Sequence, residues 1–313
     1  MKDRKLQLSL AMLLIAALFT CGAVAVGTMP VLANGAAPVV QPLQGATVPG
    51  VAIELPLTAT DADNDVQLFQ LTEQPRLGAA SIDGQTLVYM PGEKTGTDKF
   101  GYTAVDANGN TAKAAQVSIQ IEKNRAKLTY ADMQGNPSHY AAIKLAESGI
   151  MEGEHIGDCA FFRPTQSVTR SEFIAMAAAV AELPVQPTTQ TDFLDDSGLS
   201  AWAKPYVSAA AANGLVSGYQ TASGLAEIRG ENPITLAEAS VVINNLLTEN
   251  LDDVRLTLEL EHSGEMNWAQ AAMSSLSRLD VLSPLAQMQA SNAPITRQTA
   301  CEMLYQALIL IED

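Results

Sequence analysis

The sequence predicts a multidomain protein, an all-β sandwich followed by an all-α unit of three helical repeats, and three observations carry that prediction. Between residues 51 and 121 apolar side chains recur with period two, as in Val51, Ile53, Leu55 and Leu57, in Phe100, Tyr102 and Ala104, and in Val117, Ile119 and Ile121; such alternation marks half-buried strands. The dipeptides Asp83-Gly84 and Asn108-Gly109 separate β-prone runs, and they suit tight hairpins because both central residues tolerate positive φ. Beyond residue 128 the period changes, and one helix-start pattern returns three times: Val168-Thr169-Arg170-Ser171-Glu172, Ile234-Thr235-Leu236-Ala237-Glu238 and Ile295-Thr296-Arg297-Gln298-Thr299.

Taken in order, residues 1–33 have the build of a secretory signal. Lys2, Arg4 and Lys5 precede an apolar run over 8–19, and Val31-Leu32-Ala33 places cleavage after Ala33. Apolar and small residues continue to Val26, so an uncleaved anchor is a second reading, and Cys21 behind the run makes a lipoprotein a third. The expected location is extracellular after export. Residues 34–49, with Pro38, Pro42 and Pro49, read as a leader, and residues 50–122 as the sandwich. Lys123, Arg125 and Lys127 fall in a basic linker, 123–128. A solvated linker and a contact with an anionic wall polymer are both readings of it.

The helical repeats are expected at 129–187, 188–250 and 251–313. A threonine followed three residues later by glutamate forms a capping box, in which the hydroxyl and the carboxylate each accept a backbone N–H of the first turn. Thr169 with Glu172 and Thr235 with Glu238 keep both halves, whereas the third copy has Thr299 in place of glutamate. Aligning the threonines brings Met176, Val242 and Met303 into register, and Val180, Leu246 and Ala307 four residues on, which is one core-facing stripe per copy. A second helical run precedes each, over 140–147, 203–212 and 269–278. Gly149 and Gly214 end the first two, as the left-handed helix cap prefers, and the third stops near Asp280.

A net charge of −16 disfavours nucleic acid, which demands clustered Lys and Arg. Cys159 and Cys301, the cysteines outside the signal, imply no disulfide framework. His155 and Cys159 have a spacing that zinc could use, but two ligands do not make a site. With no nucleophile elbow, phosphate loop or HExxH, the chain is expected not to be an enzyme.

Two stretches resemble known families. Thr60-Asp61-Ala62-Asp63-Asn64-Asp65, with Asp98-Lys99-Phe100-Gly101-Tyr102 and Val105-Asp106-Ala107-Asn108-Gly109-Asn110, is similar to a bacterial Ig-like or cadherin-like module. Asp61, Asp63 and Asp65 could supply calcium with oxygen ligands, with Asp98 and Asp106 as natural additions; an acidic solvated turn is the plainer reading. No other cofactor is implied. The C-terminal part resembles tandem S-layer homology (SLH) domains. The second copy offers Phe193, Asp195, Trp202-Ala203, Gly214-Leu215-Val216, Gly218-Tyr219 and its capping box. The first offers Tyr130, Asp132, Gly149-Ile150, Phe162-Arg163-Pro164 and its own box, and the third Trp268-Ala269 and Ile295-Thr296-Arg297.

The resemblance implies an Ig-like sandwich followed by a pseudo-threefold SLH trimer within one chain. It also implies non-covalent attachment to the bacterial cell wall through an anionic secondary cell wall polymer, often ending in a pyruvylated amino sugar. The Ig-like domain would be a spacer or an adhesion module toward other surface proteins. Candidate polymer-binding residues are Arg170, Arg297, Trp202, Trp268, Gly218, Tyr219, Asp132, Asp195 and Arg163. An arginine fork suits a carboxylate, and an aromatic ring covers a sugar face. Leu236 replaces the motif arginine in the second copy and the first copy has no tryptophan, so unequal grooves are expected. The alternative is a surface scaffold or assembly protein with degenerate, non-binding repeats.

Overall fold

The computed structural model describes residues 35–250 and 268–312; the expected signal at 1–33 lies outside them. Alternating strands build the N-terminal part. β2 (Leu43–Thr47), β9 (Ala115–Ile121), β8 (Gly96–Asp106) and β5 (Val66–Leu71) form one sheet in that order, and β3 (Ile53–Pro56), β7 (Thr86–Pro91) and β6 (Gly78–Asp83) form the other. The short strands β1 (Val39–Val40) and β4 (Ala59–Thr60) pair beside them. Phe69, Leu87, Tyr89, Phe100, Tyr102, Val117, Ile119 and Ile121 fill the space between the sheets. The period-two positions other than Val51 therefore face inward, as a sandwich requires.

Two details differ from the sequence reading. The loop between β6 and β7 is Gly84 and Gln85, because Asp83 already pairs with Thr86; the turn lies one residue later than Asp83-Gly84 suggests. The expected leader, 34–49, overlaps the sandwich, since Val39–Val40 and Leu43–Thr47 within it are strands. These are β1 and β2, and β2 pairs with β9 in parallel. A short, proline-flanked strand at a sheet edge has too little alternation to be read as one.

The turn after β2 leaves the sandwich altogether. Val48-Pro49-Gly50-Val51 closes with a Val51 N–H to Val48 carbonyl bond of 3.1 Å, and Gly50 takes φ +77°, which glycine adopts without cost. Val48 and Val51 are fully buried, yet they pack in the core of the helical part and not in that of the sandwich. Further ties cross the junction. Lys144 reaches Glu122 at 3.1 Å and Glu147 at 3.0 Å, and the Arg125 N–H donates to Glu147 at 2.6 Å.

The helical part begins with α1 (His139–Glu147), the hairpin β10 (Glu154–Ile156) and β11 (Cys159–Phe161), and α2 (Arg170–Val180). Next come α3 (Lys204–Ala212), the hairpin β12 (Tyr219–Gln220) and β13 (Ala226–Glu227), and α4 (Leu236–Asn250). Last are α5 (Trp268–Arg278), the single turn α6 (Pro284–Gln287) and α7 (Arg297–Glu312). The expected helical runs are present, and both complete capping boxes form. The Thr169 N–H donates to Glu172 at 2.7 Å and the Glu172 N–H to Thr169 Oγ1 at 3.2 Å; Thr235 and Glu238 do the same at 2.8 and 3.3 Å. In the third copy the Thr299 N–H to Thr296 Oγ1 bond remains, at 3.3 Å, and the two hydroxyls meet at 3.2 Å in place of the carboxylate bond.

Packing runs between copies. α2 lies on α3, α4 on α5, and α7 returns to α1, while α2, α4 and α7 touch one another pairwise. At their N-termini the chain closes a ring of backbone bonds: Ile234 N–H to Val168 carbonyl, Ile295 to Ile234, and Val168 to Ile295, at 2.9, 2.9 and 3.3 Å. First-turn N–H groups, which a helix cannot satisfy internally, are taken up by the neighbouring copy. Arg170 donates to Asn232, Leu236 to Ala293 and Arg297 to Gln166, at 2.9, 3.0 and 2.7 Å. These helix ends are thus closed to ligands at the backbone. Among the described residues no helix is long and apolar enough to cross a membrane.

Candidate functional site

The three positions at the start of α2, α4 and α7 define the chemistry. Each faces the hairpin or loop of the next copy, and each has been filled differently. Arg297 is bound to the backbone of the first copy: Nε donates to the Phe162 carbonyl at 2.8 Å and Nη2 to the Glu152 carbonyl at 2.7 Å, with the guanidinium 4.9 Å from the Phe162 ring centre. Leu236 is completely buried. Arg170 is also buried, 8% exposed, but its Nε and Nη1 have no hydrogen-bond partner. Its nearest counter-charge is Glu238, 3.6 Å away.

Arg170 lines a cavity of about 260 Å³ whose wall also carries Gly218, Tyr219, Glu238 and Asn245. The Tyr219 ring is flanked by two guanidinium groups, Arg229 at 4.3 Å and Arg170 at 5.2 Å from its centre. Burial lowers the pKa of Arg170, Glu238 opposes that shift and the like charge of Arg229 adds to it. A buried guanidinium with unused donors is costly. A small anion, a carboxylate above all, would complete it.

Where Arg297 finds two carbonyls, Arg170 meets Tyr219. The cause is in the hairpins. Gly153 and Gly218 occupy matching places, four residues after Gly149 and Gly214. A Cβ on Gly153 would come within 2.5 Å of Tyr130 and 2.4 Å of the Phe161 carbonyl, and one on Gly218 within 2.7 Å of Phe193 and 2.8 Å of the Glu227 carbonyl. The next residue is Glu154 in the first copy and Tyr219 in the second. Gly218, at φ +71°, thus serves chain packing while its backbone borders the cavity.

Asp132 and Asp195 also have matching, internal roles. Asp132 accepts the N–H groups of Phe162 and Arg163 at 2.8 and 2.7 Å. Asp195 accepts those of Ile228 and Arg229 at 2.9 and 2.7 Å. Both carboxylates are used in pinning the loop ahead of the next helix, where Arg163 and Arg229 hold φ of +58° and +54°. Arg163 pairs with Glu154 at 2.8 Å on the surface, away from Arg170. Trp202 is 50% exposed but does not line the Arg170 cavity. Trp268 opens α5, and its side chain lies outside the described residues. Arg229 was missed by sequence reading. The match of Phe162-Arg163 to Ile228-Arg229, each six residues ahead of a capping threonine, could have found it.

In the sandwich, carboxylate oxygens of Asp61, Asp65 and Asp106 lie within 4.8 Å of one another, and Asp61 Oδ2 and Asp65 Oδ1 are buried without a partner. Desolvation, then Asp106, Asp61 and Asp63, push the Asp65 carboxyl upward. Such a donor set fits a hard cation. Two of the expected ligands fall elsewhere. Asp63 is exposed, with Oδ2 accepting the Ala36 N–H at 3.2 Å. Asp98 is buried and accepts from Arg76, Leu77 and Tyr89 at 2.9, 2.7 and 2.8 Å. Against the penalty of burial, these bonds hold its pKa below the ordinary value.

Comparison with known proteins assigns one stretch in each part. The family description "Bacterial Ig domain" matches residues 34–120, and "S-layer homology domain" matches residues 192–240, inside the second helical copy. The chain carries a bacterial Ig domain and an S-layer homology domain. It is 30% identical over 159 residues to the surface-layer 125 kDa protein of Lysinibacillus sphaericus, covering 47% of this chain and 13% of that protein. The chain therefore spans a small part of that relative's length. Among solved structures it is similar to an R347E mutant of the SrpA adhesin of Streptococcus sanguinis, at 17% identity and TM-score 0.24, over 32% of this chain and 62% of that one. It is also similar to the D00-D0 domain of intimin, at 13% identity and TM-score 0.22, over 29% and 51%. Scores this low say nothing about function.

Proposed function

We propose that the chain is a non-catalytic module that holds an exported protein on the bacterial cell wall. On this reading the three helical copies are tandem SLH domains arranged as a pseudo-threefold trimer. The Arg170 cavity takes an anionic group of a secondary cell wall polymer, such as the ketal carboxylate of a pyruvylated sugar. The S-layer homology domain and the surface-layer relative support cell-surface association. The cyclic bonding of Val168, Ile234 and Ile295 supports the trimer. The observation that carries the binding reading is the buried Arg170 guanidinium with two unpartnered nitrogens at the wall of a cavity. Trp202, half exposed just ahead of α3, is a candidate platform for a neighbouring sugar. The Ig-like domain is the spacer or adhesive end, and calcium, if bound there, is held by Asp61, Asp65 and Asp106.

The test is co-sedimentation of the full chain with purified wall before and after the polymer is stripped. Binding lost on stripping is expected; equal binding to stripped wall overturns the reading. A scaffold role with degenerate repeats is favoured by one observation, that Arg297 and Leu236 leave two of the three helix-start positions without a free guanidinium. Absence of polymer-dependent binding would leave that role standing.

A further inference from the structure

A second cavity lies at the junction of the two parts, about 520 Å³ in volume and within the roughly 300–1,000 Å³ typical of ligand sites. Its sandwich wall is made by β2 and β3, the strands that end their respective sheets, with Ile53 and Glu54 among its lining. Its helical wall carries Tyr140 from α1, Glu302 and Tyr305 from α7, and Asp280. The two tyrosine rings meet edge to face at 6.0 Å.

The charge here is one-sided. Three carboxylates line the cavity, and among its described lining residues there is no lysine, arginine or histidine. Glu302 takes two hydrogen bonds on Oε1, from Ser138 and Gln298, and no described group donates to Oε2. Glu54 and Asp280 are exposed at the rim. Apolar walls, two aromatic rings and three unneutralised carboxylates together suit an aliphatic chain ending in an ammonium group. The open edges of β2 and β3 suit an extended backbone that adds main-chain hydrogen bonds.

We infer that this junction binds a lysine-bearing peptide in extended form, with the lysine stem against Ile53, Tyr140 and Tyr305 and its ammonium among Glu54, Asp280 and Glu302. The site is distinct from the Arg170 cavity in place and opposite in charge preference, so it stands whether or not the polymer reading does.

The experiment titrates the full chain with acetyl-Ala-Lys-Ala-amide and follows the methyl resonances of Ile53 and Ala141 by NMR, the latter also in the cavity lining. Saturable shifts at both methyls are expected. Replacing lysine by norleucine, or acetylating its amine, should weaken binding about tenfold, the loss of one favourable charge contact. Glu302→Gln, which keeps the acceptor for Ser138, and Asp280→Asn on the exposed rim should each weaken it and reduce its salt dependence. Norleucine binding as tightly as lysine overturns the inference. So does unchanged affinity in both variants, or the absence of a saturable shift. A variant that unfolds is recognised by its collapsed methyl dispersion, and Asp280→Asn then decides alone.

Discussion

A single helix position, filled as Arg170, Leu236 and Arg297, sits in three different environments: Arg170 has nitrogens without a hydrogen bond, Leu236 is core, and Arg297 donates to two backbone carbonyls. Arg170→Ala removes the buried guanidinium whose Nε and Nη1 lack a hydrogen bond, and should weaken wall binding at least tenfold, since truncating one partner of a buried charge contact costs about 2–5 kcal/mol. Leu236→Ala empties a fully buried site and should cost about 2–5 kcal/mol of stability, with the folded fraction binding wall as before. Co-sedimentation alongside urea denaturation separates these effects; equal losses of binding would count against a role for Arg170. Arg297→Ala belongs with the leucine. It breaks two bonds to backbone carbonyls, so a stability loss of about 1–3 kcal/mol is expected with polymer affinity retained. Sequence shows that arginine recurs at this position but not which copy is free. That depends on whether the residue after the hairpin glycine is Glu154 or Tyr219, a contact between copies that no local pattern encodes.

At the level of single elements, the capping boxes and the helix-ending glycines were legible because they depend on residues within one turn. The first helix, α1, holds a less visible feature. His139 is 2% exposed, and its Nε2 accepts the Tyr130 N–H at 3.1 Å, so the folded state needs the imidazole neutral on that nitrogen. Burial lowers its pKa below 6.5, although a bond with the Met133 backbone and the charge of Asp132 oppose the shift. Above pH 6.5 neither state gains from protonation. As pH falls below it, the unfolded chain takes a proton that the folded chain resists, and stability declines until the folded pKa is passed. Thermal melts between pH 7 and 5 should show this slope, and His139→Gln, which retains an acceptor, should flatten it; an unchanged slope would assign it to other groups. In the sandwich the β4–β5 and β8–β9 loops make the analogous case for a metal. Millimolar calcium should raise the melting temperature of the chain, and Asp65→Asn should abolish the rise while leaving the metal-free melt no lower, because it relieves repulsion among Asp61, Asp65 and Asp106. The sequence indicated an acidic turn there. It could not choose Asp106 over Asp63, because that choice is made by the pairing of distant strands.

Across the whole molecule, the least legible feature is how the two parts are joined. Proline-spaced residues before position 50 look like a leader, yet they form β2 and send Val48 and Val51 into the helical core. A turn donated by one domain to the core of the other couples their stabilities, because neither can unfold without exposing part of the other's buried surface. The coupling is reinforced by Lys144, which holds Glu122 from the sandwich end and Glu147 from α1. Lys144 and Glu122 keep partial contact with solvent, and solvent-screened ion pairs contribute only about 0–1 kcal/mol each, so the valines supply most of it. Calorimetry of the full chain should therefore give one unfolding transition. Val51→Ala at the junction and Val117→Ala in the sandwich core should both lower that same transition, each by about 1–3 kcal/mol. Two transitions, with Val117→Ala moving only one of them, would show that the turn docks without coupling. A coupled junction also fixes the distance between the helical copies and the far end of the sandwich, so force applied to one end would be carried through Val48 and Val51 instead of through a loose linker.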